Sequence, residues 1–359
     1  MQIDHVHFYV EDASKWCNWF QRNLSFCSLA TEINQHTHTE IITSGEIQFR
    51  LSSPLNIDSP VANFLQSHPP GVVDIAVVVD DVAGVVDRVI SSGGKILQPI
   101  HDYQGIKSAK IAAWGTLSHT LLEKKSLFPK SFLSKSLFSN NEIESNFPEQ
   151  SIYLGIDHLV LNVPQGKLSQ VAQWYQQIFH LQPQQEFLIK TENSGLCSQV
   201  MVHPTTGFQL PINEPTSSNS QIQEFLDLNH GAGIQHLALR VQDIIQMVAK
   251  VKGEEINFLQ VSPGYYQNLA LKPDLPLNSE EFASILEQDI LIDWQAENSR
   301  SLLLQIFTQP IFSQPTFFLE LIERRCSQEK GAMQHQGFGA GNFQELFATM
   351  EQEQLRRRG

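Results

Sequence analysis

The sequence lacks any long uncharged apolar segment. A membrane-spanning helix needs roughly 20 consecutive, predominantly apolar residues. The most apolar stretch of this chain, residues 71–86, is interrupted by Asp74, Asp80 and Asp81. The N-terminus also has no basic segment followed by a long apolar core, which is the pattern of a signal peptide. We therefore expect no membrane span and no signal peptide, and a cytoplasmic location.

Cysteine and basic residues are both scarce. The four cysteines, Cys17, Cys27, Cys197 and Cys326, lie far apart without a CxxC pair. This spacing argues against a disulfide scaffold or a zinc ribbon and predicts free thiols. Lys and Arg number 24 against 38 Asp and Glu, which gives a net charge of −14. A surface this acidic repels phosphate backbones and anionic lipids, so neither nucleic acid nor membrane is an expected partner.

The remaining composition is that of an ordinary globular protein. Hydrophobic residues make up 41% of the 359 residues and charged residues 17%. The length suits about two domains, since roughly 150 residues per domain is a reasonable prior.

The chain contains one module written twice. Residues 3–26 begin IDHVHFYV and residues 156–181 begin IDHLVLNV, and both pass from an alternating strand pattern into an amphipathic helix pattern. Residues 71–89 and 233–251 repeat a second strand–helix pattern in the same order, and HTLLEKK from His119 echoes FFLELIERR from Phe317. We predict an α+β fold of two tandem units, each with a strand, a helix and several further strands.

A stretch rich in Ser, Asn and Pro, residues 126–151, separates the two repeats and lacks sustained periodicity. We place an N-terminal domain at residues 1–130, a linker at 131–151 and a C-terminal domain at 152–359.

Three polar residues of the second repeat lie mid-strand among apolar neighbours. They are His158, His236 and Glu320. An ionised carboxylate buried in an apolar strand costs several kcal/mol unless a cation or hydrogen-bond donors compensate it. Two imidazoles and one carboxylate form the facial ligand set typical of non-haem Fe(II). Each residue alone is equally consistent with a hydrogen-bonded core histidine or a solvent-facing glutamate. The shared I-x-H-L pattern of the two histidines favours a metal site.

Other segments offer weaker candidates. His36, His38 and Glu40 in HTHTE resemble a short metal cluster but have no further partner nearby. The first repeat has His5, Asp74 and Glu123 at the positions that we align with the triad of His158, His236 and Glu320. Asp in place of His weakens transition-metal binding, so we predict a structural domain with a degenerate site. The glycines of residues 337–341 do not follow a strand as a nucleotide loop requires, and they predict a hinge before an amphipathic C-terminal helix.

Six motifs of the second repeat resemble those of the 4-hydroxyphenylpyruvate dioxygenase family. In order, they are GIDHLVLNV, LPINEP, GIQHLAL, LLLQIF, FFLELIERR and GFGAGNFQELF, and they span about 200 residues from Gly155 to the C-terminus. The first repeat matches only the shared module of the vicinal oxygen chelate superfamily, also called the glyoxalase, bleomycin resistance and dioxygenase fold. The resemblance implies tandem βαβββ modules forming two half-barrel domains. It also implies that His158, His236 and Glu320 bind one Fe(II) per chain.

The same resemblance implies a set of substrate contacts. The polar ones are Ser198, Asn213, Gln221, Gln235 and Gln305, and the aromatic wall and lid comprise Phe307, Phe338, Phe343 and Phe347. Neutral amides and a hydroxyl can orient a phenol and a keto acid without competing for the metal. Because Phe343 and Phe347 lie four residues apart, we expect both to face the substrate ring. We expect Glu351, Glu353 and the basic run 356–358 to remain mostly solvated.

The resemblance implies conversion of 4-hydroxyphenylpyruvate and O2 into homogentisate and CO2, in tyrosine breakdown or in the supply of quinone and tocopherol precursors. A homo-oligomer is expected. Two positions depart from the family pattern, with Glu323 where Gln is usual and Cys197 where Asn is common. The nearest alternative is 4-hydroxymandelate synthase, which shares the triad and the substrate. More remote alternatives are an extradiol catechol dioxygenase, a glyoxalase and a non-catalytic binding protein of the same module.

Overall fold

The structure, a computed structural model, describes residues 1–124, 152–251, 255–271, 275–294, 302–325 and 337–358. The predicted linker at 131–151 and Cys326 lie outside these ranges, so the domain boundaries stay predictions. Within the described ranges Cys17, Cys27 and Cys197 are free thiols, as expected. No helix among the described residues is long and apolar enough to cross a membrane.

The first repeat forms an eight-stranded sheet. Its strands are β1 (Gln2–Tyr9), β2 (Cys27–Ile33), β3 (Thr37–Ser44), β4 (Ile47–Pro54), β5 (Gly71–Val78), β6 (Ile96–Tyr103), β7 (Ile106–Ala112) and β8 (Ser118–Lys124). Its helices are α1 (Ala13–Leu24), α2 (Pro60–Leu65) and α3 (Val82–Ser91). The strand order is β2-β3-β4-β1-β5-β8-β7-β6, so the first and fifth strands of the chain lie in the middle.

The second repeat builds the same sheet again. Its strands are β9 (Tyr153–Asn162), β10 (Gln182–Lys190), β11 (Gly195–Val202), β12 (Gln209–Pro215), β13 (Gly233–Val241), β14 (Leu291–Trp294), β15 (Leu302–Phe307) and β16 (Phe318–Arg325). Their order, β10-β11-β12-β9-β13-β16-β15-β14, repeats that of the first sheet strand for strand. The α+β fold of two tandem modules is thus confirmed.

Among the described residues, six helices accompany the second sheet. They are α4 (Leu168–Phe179), α5 (Gln221–Leu228), α6 (Ile244–Val251), α7 (Pro263–Ala270), α8 (Ser279–Glu287) and α9 (Ala340–Arg358). Gly339 has a positive φ of 59° just before α9, and a Cβ there would lie 3.0 Å from Asp293 Cβ. Only glycine suits both this backbone conformation and this close contact.

The two modules share one apolar core. Phe8 of β1 meets Phe317, which precedes β16, with ring centroids 5.3 Å apart, and Trp16 of α1 meets Phe312 at 4.6 Å. One continuous cluster of buried apolar residues includes members of both sheets. Burial of this size is the main driving force that holds the second module on the first.

Strand register corrects one sequence-based alignment. Asp74 lies opposite Ser118, and its counterpart His236 lies opposite Phe318. Counting two residues further along each strand, Thr120 occupies the position of Glu320. The prediction that Glu123 echoes Glu320 was therefore wrong. Glu123 instead corresponds to Glu323.

The two corresponding glutamates make the same contact. Glu123 Oε2 accepts a hydrogen bond from Val82 N at the start of α3, at 3.0 Å, and Glu323 Oε2 accepts one from Ile244 N at the start of α6, at 2.8 Å. A carboxylate at this place satisfies a helix N–H that has no partner within its own helix. These glutamates therefore hold helices on their sheets.

Candidate metal centre

Three neighbouring strands place the two histidines and the glutamate on one face of the second sheet. β9 pairs antiparallel with β13, and β13 pairs parallel with β16. Ala238 on β13 lies opposite both His158 on β9 and Glu320 on β16. Side chains of residues paired across strands point to the same face of a sheet, so His158 and Glu320 share a face with Ala238. His236 lies two residues before Ala238 on β13 and therefore points to that face as well. The sheet register alone therefore gathers the three side chains.

The ligand atoms are close enough for a single ion. Glu320 Oε2 lies 3.2 Å from His158 Nε2 and 3.5 Å from His236 Nε2. The three ligand atoms all lie within 4.8 Å of one another, and all three residues are buried. Among the described residues, no other group of three His, Cys, Asp or Glu side chains is placed in this way.

The electrostatics of the three groups suit a cation. Burial favours the neutral acid, but the two imidazoles hold the pKa of Glu320 below its usual range. Burial opposes a charged His158, yet the Glu320 carboxylate and the hydrogen bond that His158 donates to Asp157 raise the pKa of this histidine. Burial dominates at His236 and lowers its pKa. An ionised carboxylate with the Nε2 atoms of two imidazoles turned toward it is a donor set that can accept a divalent first-row metal and leave coordination positions open.

A carboxylate and a guanidinium behind His158 fix its orientation. Asp157 Oδ1 lies 2.9 Å from His158 Nδ1, so the Nδ1–H donates to it and Nε2 faces the centre. Arg324 donates two hydrogen bonds to the same carboxylate, from Nε to Oδ2 at 2.8 Å and from Nη2 to Oδ1 at 2.7 Å. Although buried, Asp157 has a pKa well below its usual range because of Arg324. Sequence analysis missed both residues, although an Asp directly before the His of both repeats was a signal for Asp157.

Gln305 holds the opposite side of the centre. Its Nε2 donates to Glu320 Oε1 at 2.9 Å, and its Oε1 accepts from Asn342 Nδ2 on α9 at 2.8 Å. This glutamine also lines the cavity, as expected for a substrate contact. Asn342 was not identified from the sequence.

The triad opens on a cavity of about 390 Å³. Besides the triad, its wall is formed by Val160, Phe187, Ser198, Val200, Pro211, Asn213, Gln305, Phe307, Phe338, Phe343 and Leu346. Small-molecule sites combine apolar walls with a few polar groups in this way. Two buried polar atoms of the wall, Ser198 Oγ and Asn213 Oδ1, have no hydrogen-bond partner among the residues that the structure describes. Such atoms are available to a ligand.

Three of the four expected phenylalanines line the cavity. Phe307 and Phe338 are buried there, and the Phe338 ring lies 4.8 Å from the His158 ring. Phe343 of α9 meets Phe187 edge to face, with centroids 5.4 Å apart. Phe187 was not identified from the sequence, because an aromatic residue in an edge strand does not by itself indicate a wall position.

Three expected contacts do not reach the cavity wall. Gln235 Nε2 donates to Gln221 Oε1 at 2.9 Å, so these two buried amides satisfy each other. Phe347 is fully buried in a separate cluster with Ile189, Leu196, Ile222, Phe225 and Leu226. Phe343 and Phe347 therefore do not both face the cavity, since Phe347 supports the helix from behind.

Glu351 was expected to remain solvated, and this expectation was wrong. Its side chain is buried and accepts hydrogen bonds from Thr191 Oγ1, at 2.8 Å, and from Ser194 Oγ. Both hydroxyls belong to the turn between β10 and β11, which therefore anchors the last turns of α9. Glu353 is partly exposed and pairs with Arg356 at 2.6 Å.

The weaker candidates have other partners. His38 Nε2 lies 2.9 Å from Glu40 Oε1, while His36 contacts Asn56 instead. In the first module His5 Nδ1 bonds Asp4 at 2.8 Å.

Asp74 and Glu123 of the first module are also paired. Asp74 accepts from Ser118 at 2.6 Å and lies 3.4 Å from Lys110 Nζ. Glu123 pairs with Lys107 at 2.9 Å. Asp74, at the position of His236, is thus paired within the first module, and Glu123, at the position of Glu323, holds both Lys107 and the start of α3.

Comparison with known proteins agrees with this geometry. The model of the glyoxalase/bleomycin resistance protein/dioxygenase superfamily matches residues 2–108 and 155–270. The chain is 31% identical over 378 residues to a 4-hydroxyphenylpyruvate dioxygenase of Tetrahymena thermophila, covering 99% of this chain and 90% of that protein. It is 33% identical over 371 residues to the enzyme of that name from Dictyostelium discoideum, covering 98% of each.

A solved structure shares the fold. A triple mutant of 4-hydroxymandelate synthase from Streptomyces coelicolor superposes with a TM-score of 0.83 at 24% identity, covering 98% of each chain.

Proposed function

The chain is a dioxygenase that belongs to the 4-hydroxyphenylpyruvate dioxygenase family of the glyoxalase/bleomycin resistance protein/dioxygenase superfamily, and on this premise we propose its reaction. It converts 4-hydroxyphenylpyruvate and O2 into homogentisate and CO2, with one Fe(II) per chain. Because 4-hydroxyphenylpyruvate is the 2-oxo acid of tyrosine, the reaction would serve tyrosine breakdown or the supply of quinone and tocopherol precursors.

One observation carries the proposal. A buried facial set of two histidines and one glutamate opens directly onto a largely apolar cavity whose wall includes four phenylalanines. This combination suits a substrate that has a keto acid at one end and an aromatic ring at the other. A solvent-exposed triad, or a cavity lined by charged groups, would not support it.

His158, His236 and Glu320 would hold the iron. When bound, Fe(II) would activate O2, which is the oxidant, and the protein would supply binding, orientation and exclusion of water. Asp157 keeps His158 in the tautomer whose Nε2 faces the centre, and Gln305 donates to the glutamate oxygen Oε1. Both contacts stabilise one arrangement of the ligands before the substrate enters.

The cavity wall would orient the substrate. Ser198 Oγ and Asn213 Oδ1, which lack partners in the described part of the chain, would hydrogen-bond to its polar groups. Phe307, Phe338 and Phe343 would pack against the ring and keep water away from the reacting carbon.

The remaining expected contacts would act from behind the wall. The Gln221–Gln235 pair adjoins the second ligand in the sequence, because Gln235 directly precedes His236. Phe347 supports the helix that carries Phe343.

Oxygen uptake tests the proposal against other reactions of the superfamily. The purified protein, loaded anaerobically with Fe(II), should consume O2 only after 4-hydroxyphenylpyruvate is added, and should release CO2 in equal amount. Catechols should not replace the keto acid, as they would for an extradiol dioxygenase. Oxygen-independent turnover of a glutathione thiohemiacetal would instead indicate a glyoxalase, and no uptake with any 2-oxo acid would reject the proposal.

A further inference from the structure

Two chains of hydrogen bonds connect the C-terminal segment, residues 337–343, with two of the three expected metal ligands. The first begins at the Gly337 carbonyl, which accepts a hydrogen bond from Arg324 Nη1 at 2.8 Å. The other nitrogens of Arg324 hold the Asp157 carboxylate at 2.8 and 2.7 Å, and Asp157 accepts from His158 Nδ1 at 2.9 Å. The Arg324 guanidinium also lies 5.9 Å from the centre of the Phe338 ring.

The second chain begins on α9. Asn342 Nδ2 donates to Gln305 Oε1 at 2.8 Å, and Gln305 Nε2 donates to Glu320 Oε1 at 2.9 Å. Behind them Tyr265 OH lies 2.9 Å from Asn342 Oδ1. Asn342 and Gln305 are 1% and 4% exposed, so water cannot replace these bonds without movement of the helix.

The chemistry of its ends fixes the direction of this second chain. An ionised Glu320 carboxylate only accepts, so Gln305 must turn its NH2 toward it and its oxygen toward α9. That oxygen requires a donor, which Asn342 provides only when its own oxygen faces Tyr265. A docked α9 and an oriented Glu320 are therefore mutually consistent, and a displaced α9 leaves the Gln305 oxygen buried without a donor.

We propose that Arg324 and Asn342 are positioning residues that couple docking of the C-terminal segment to the metal ligands, so that metal binding and helix docking stabilise each other. The proposal rests on the metal site proposed above and goes beyond it. Coupling of this kind is reciprocal, because each event must favour the other by the same factor.

The test uses Fe(II) alone as the probe, under anaerobic conditions and without substrate. The dissociation constant of Fe(II) is measured by competition with a chromogenic chelator, and docking of α9 by hydrogen exchange of its amides with and without Fe(II). In the full wild-type chain, Fe(II) should slow exchange across α9 by about tenfold, since couplings between sites are typically 5 to 150-fold.

Asn342→Leu and Arg324→Lys test the two chains separately. The first replaces the amide by an apolar group of similar size. Arg324→Lys keeps the positive charge but loses the bidentate hydrogen bonding to Asp157. Each should weaken Fe(II) binding by about fivefold to tenfold and reduce the protection that Fe(II) gives to α9 by the same factor. Because Asn342 touches no metal ligand directly, loss of a ligand cannot explain its effect.

Two control variants separate coupling from general damage. Arg325→Met removes the neighbouring guanidinium, which pairs with Glu281 and Glu323 and does not touch the triad. Leu355→Ala truncates an exposed side chain of α9 that makes no hydrogen bond. Both should bind Fe(II) within twofold of wild type.

The outcomes distinguish the two proposals. If the wild type binds Fe(II) and both test variants bind it equally well, the coupling is wrong and the metal site stands. The same holds if Fe(II) leaves exchange in wild-type α9 unchanged. If the wild type binds no Fe(II) at the triad, both the coupling and the proposed metal site are wrong.

Discussion

At the scale of single residues, the two histidines of the centre are held in different ways. His158 is fixed by the hydrogen bond of its Nδ1 to Asp157, and its pKa is raised by the adjacent carboxylates. His236 Nδ1 has no partner among the described residues, and its ring stacks on Phe318 with centroids 4.7 Å apart. Position therefore depends on hydrogen bonding at one ligand and on packing at the other.

Glu320→Ala should remove both metal and activity. Iron content should fall from one per chain to none, and turnover should be lost, because two imidazoles alone leave the facial set incomplete. Glu323→Ala is the matched control, since this glutamate is also buried on β16 but binds the start of α6 instead of the centre. It should keep iron and lower the free energy of unfolding by about 1 kcal/mol, the typical value for loss of a helix cap. Normal iron content in Glu320→Ala would contradict the ligand assignment.

The sequence revealed the triad but not the residues that hold it. His158, His236 and Glu320 were visible because polar groups inside apolar strands are conspicuous. Arg324 and Asn342 were not, because their roles depend on contacts with Asp157 and Gln305 that sequence spacing does not encode. Glu123 was misaligned with Glu320 because two glutamates three residues apart on one strand fit the short echo equally well. The strand register separates them.

At the scale of elements, α9 has two functions at successive turns of one face. Phe343, half-buried, forms part of the cavity wall, whereas Phe347 one turn later is fully buried in an apolar cluster behind it. The sequence correctly predicted the helical periodicity, but it did not predict that only Phe343 would line the cavity. A spacing of four residues brings two side chains to similar directions, and the curvature of the surrounding sheet decides which of them meets the cavity.

Alanine variants of these two phenylalanines should affect two different quantities, the free energy of unfolding and the amount of product formed per O2 consumed. Phe347→Ala should lower the free energy of unfolding by about 3 to 5 kcal/mol, the usual cost of truncating a buried Phe. Phe343→Ala should cost less stability but let water into the cavity, so that O2 uptake exceeds product formation. Urea unfolding and paired measurements of O2 and product check both effects.

Leu355→Ala, at an exposed position of the same helix, is the control and should change neither quantity. If Phe343→Ala still forms one product for each O2 consumed, α9 does not shield the cavity.

At the scale of the whole molecule, the first module supports the second without a triad of its own. His119 Nε2 lies 3.0 Å from Tyr175 OH of α4, and Arg88 Nε donates to the Ile178 carbonyl at 2.9 Å. Together with the shared apolar core, these contacts make the duplicated chain one packed unit. The duplication was evident from the sequence, because three separate segments of the first repeat recur in the second in the same order. The packing of one module on the other was not, because it depends on which helix faces meet.

Removal of metal should leave this unit folded. The chelator-treated protein should unfold in one transition, with the same midpoint by circular dichroism and by tryptophan fluorescence, because both modules share one core. Fe(II) at about 100 times its dissociation constant should then raise the free energy of unfolding by about 2.7 kcal/mol. Two separate transitions would contradict the shared core, and an unchanged midpoint with metal would contradict binding to the folded state.

The identity of the product tests the central claim most directly. Homogentisate and 4-hydroxymandelate have the same composition, so the product formed from 4-hydroxyphenylpyruvate under ¹⁸O2 must be separated by chromatography against both standards before mass analysis. We predict homogentisate that carries two ¹⁸O atoms, one in the new ring hydroxyl and one in the carboxylate, with one CO2 released per product. Doubly labelled 4-hydroxymandelate would contradict the proposed reaction.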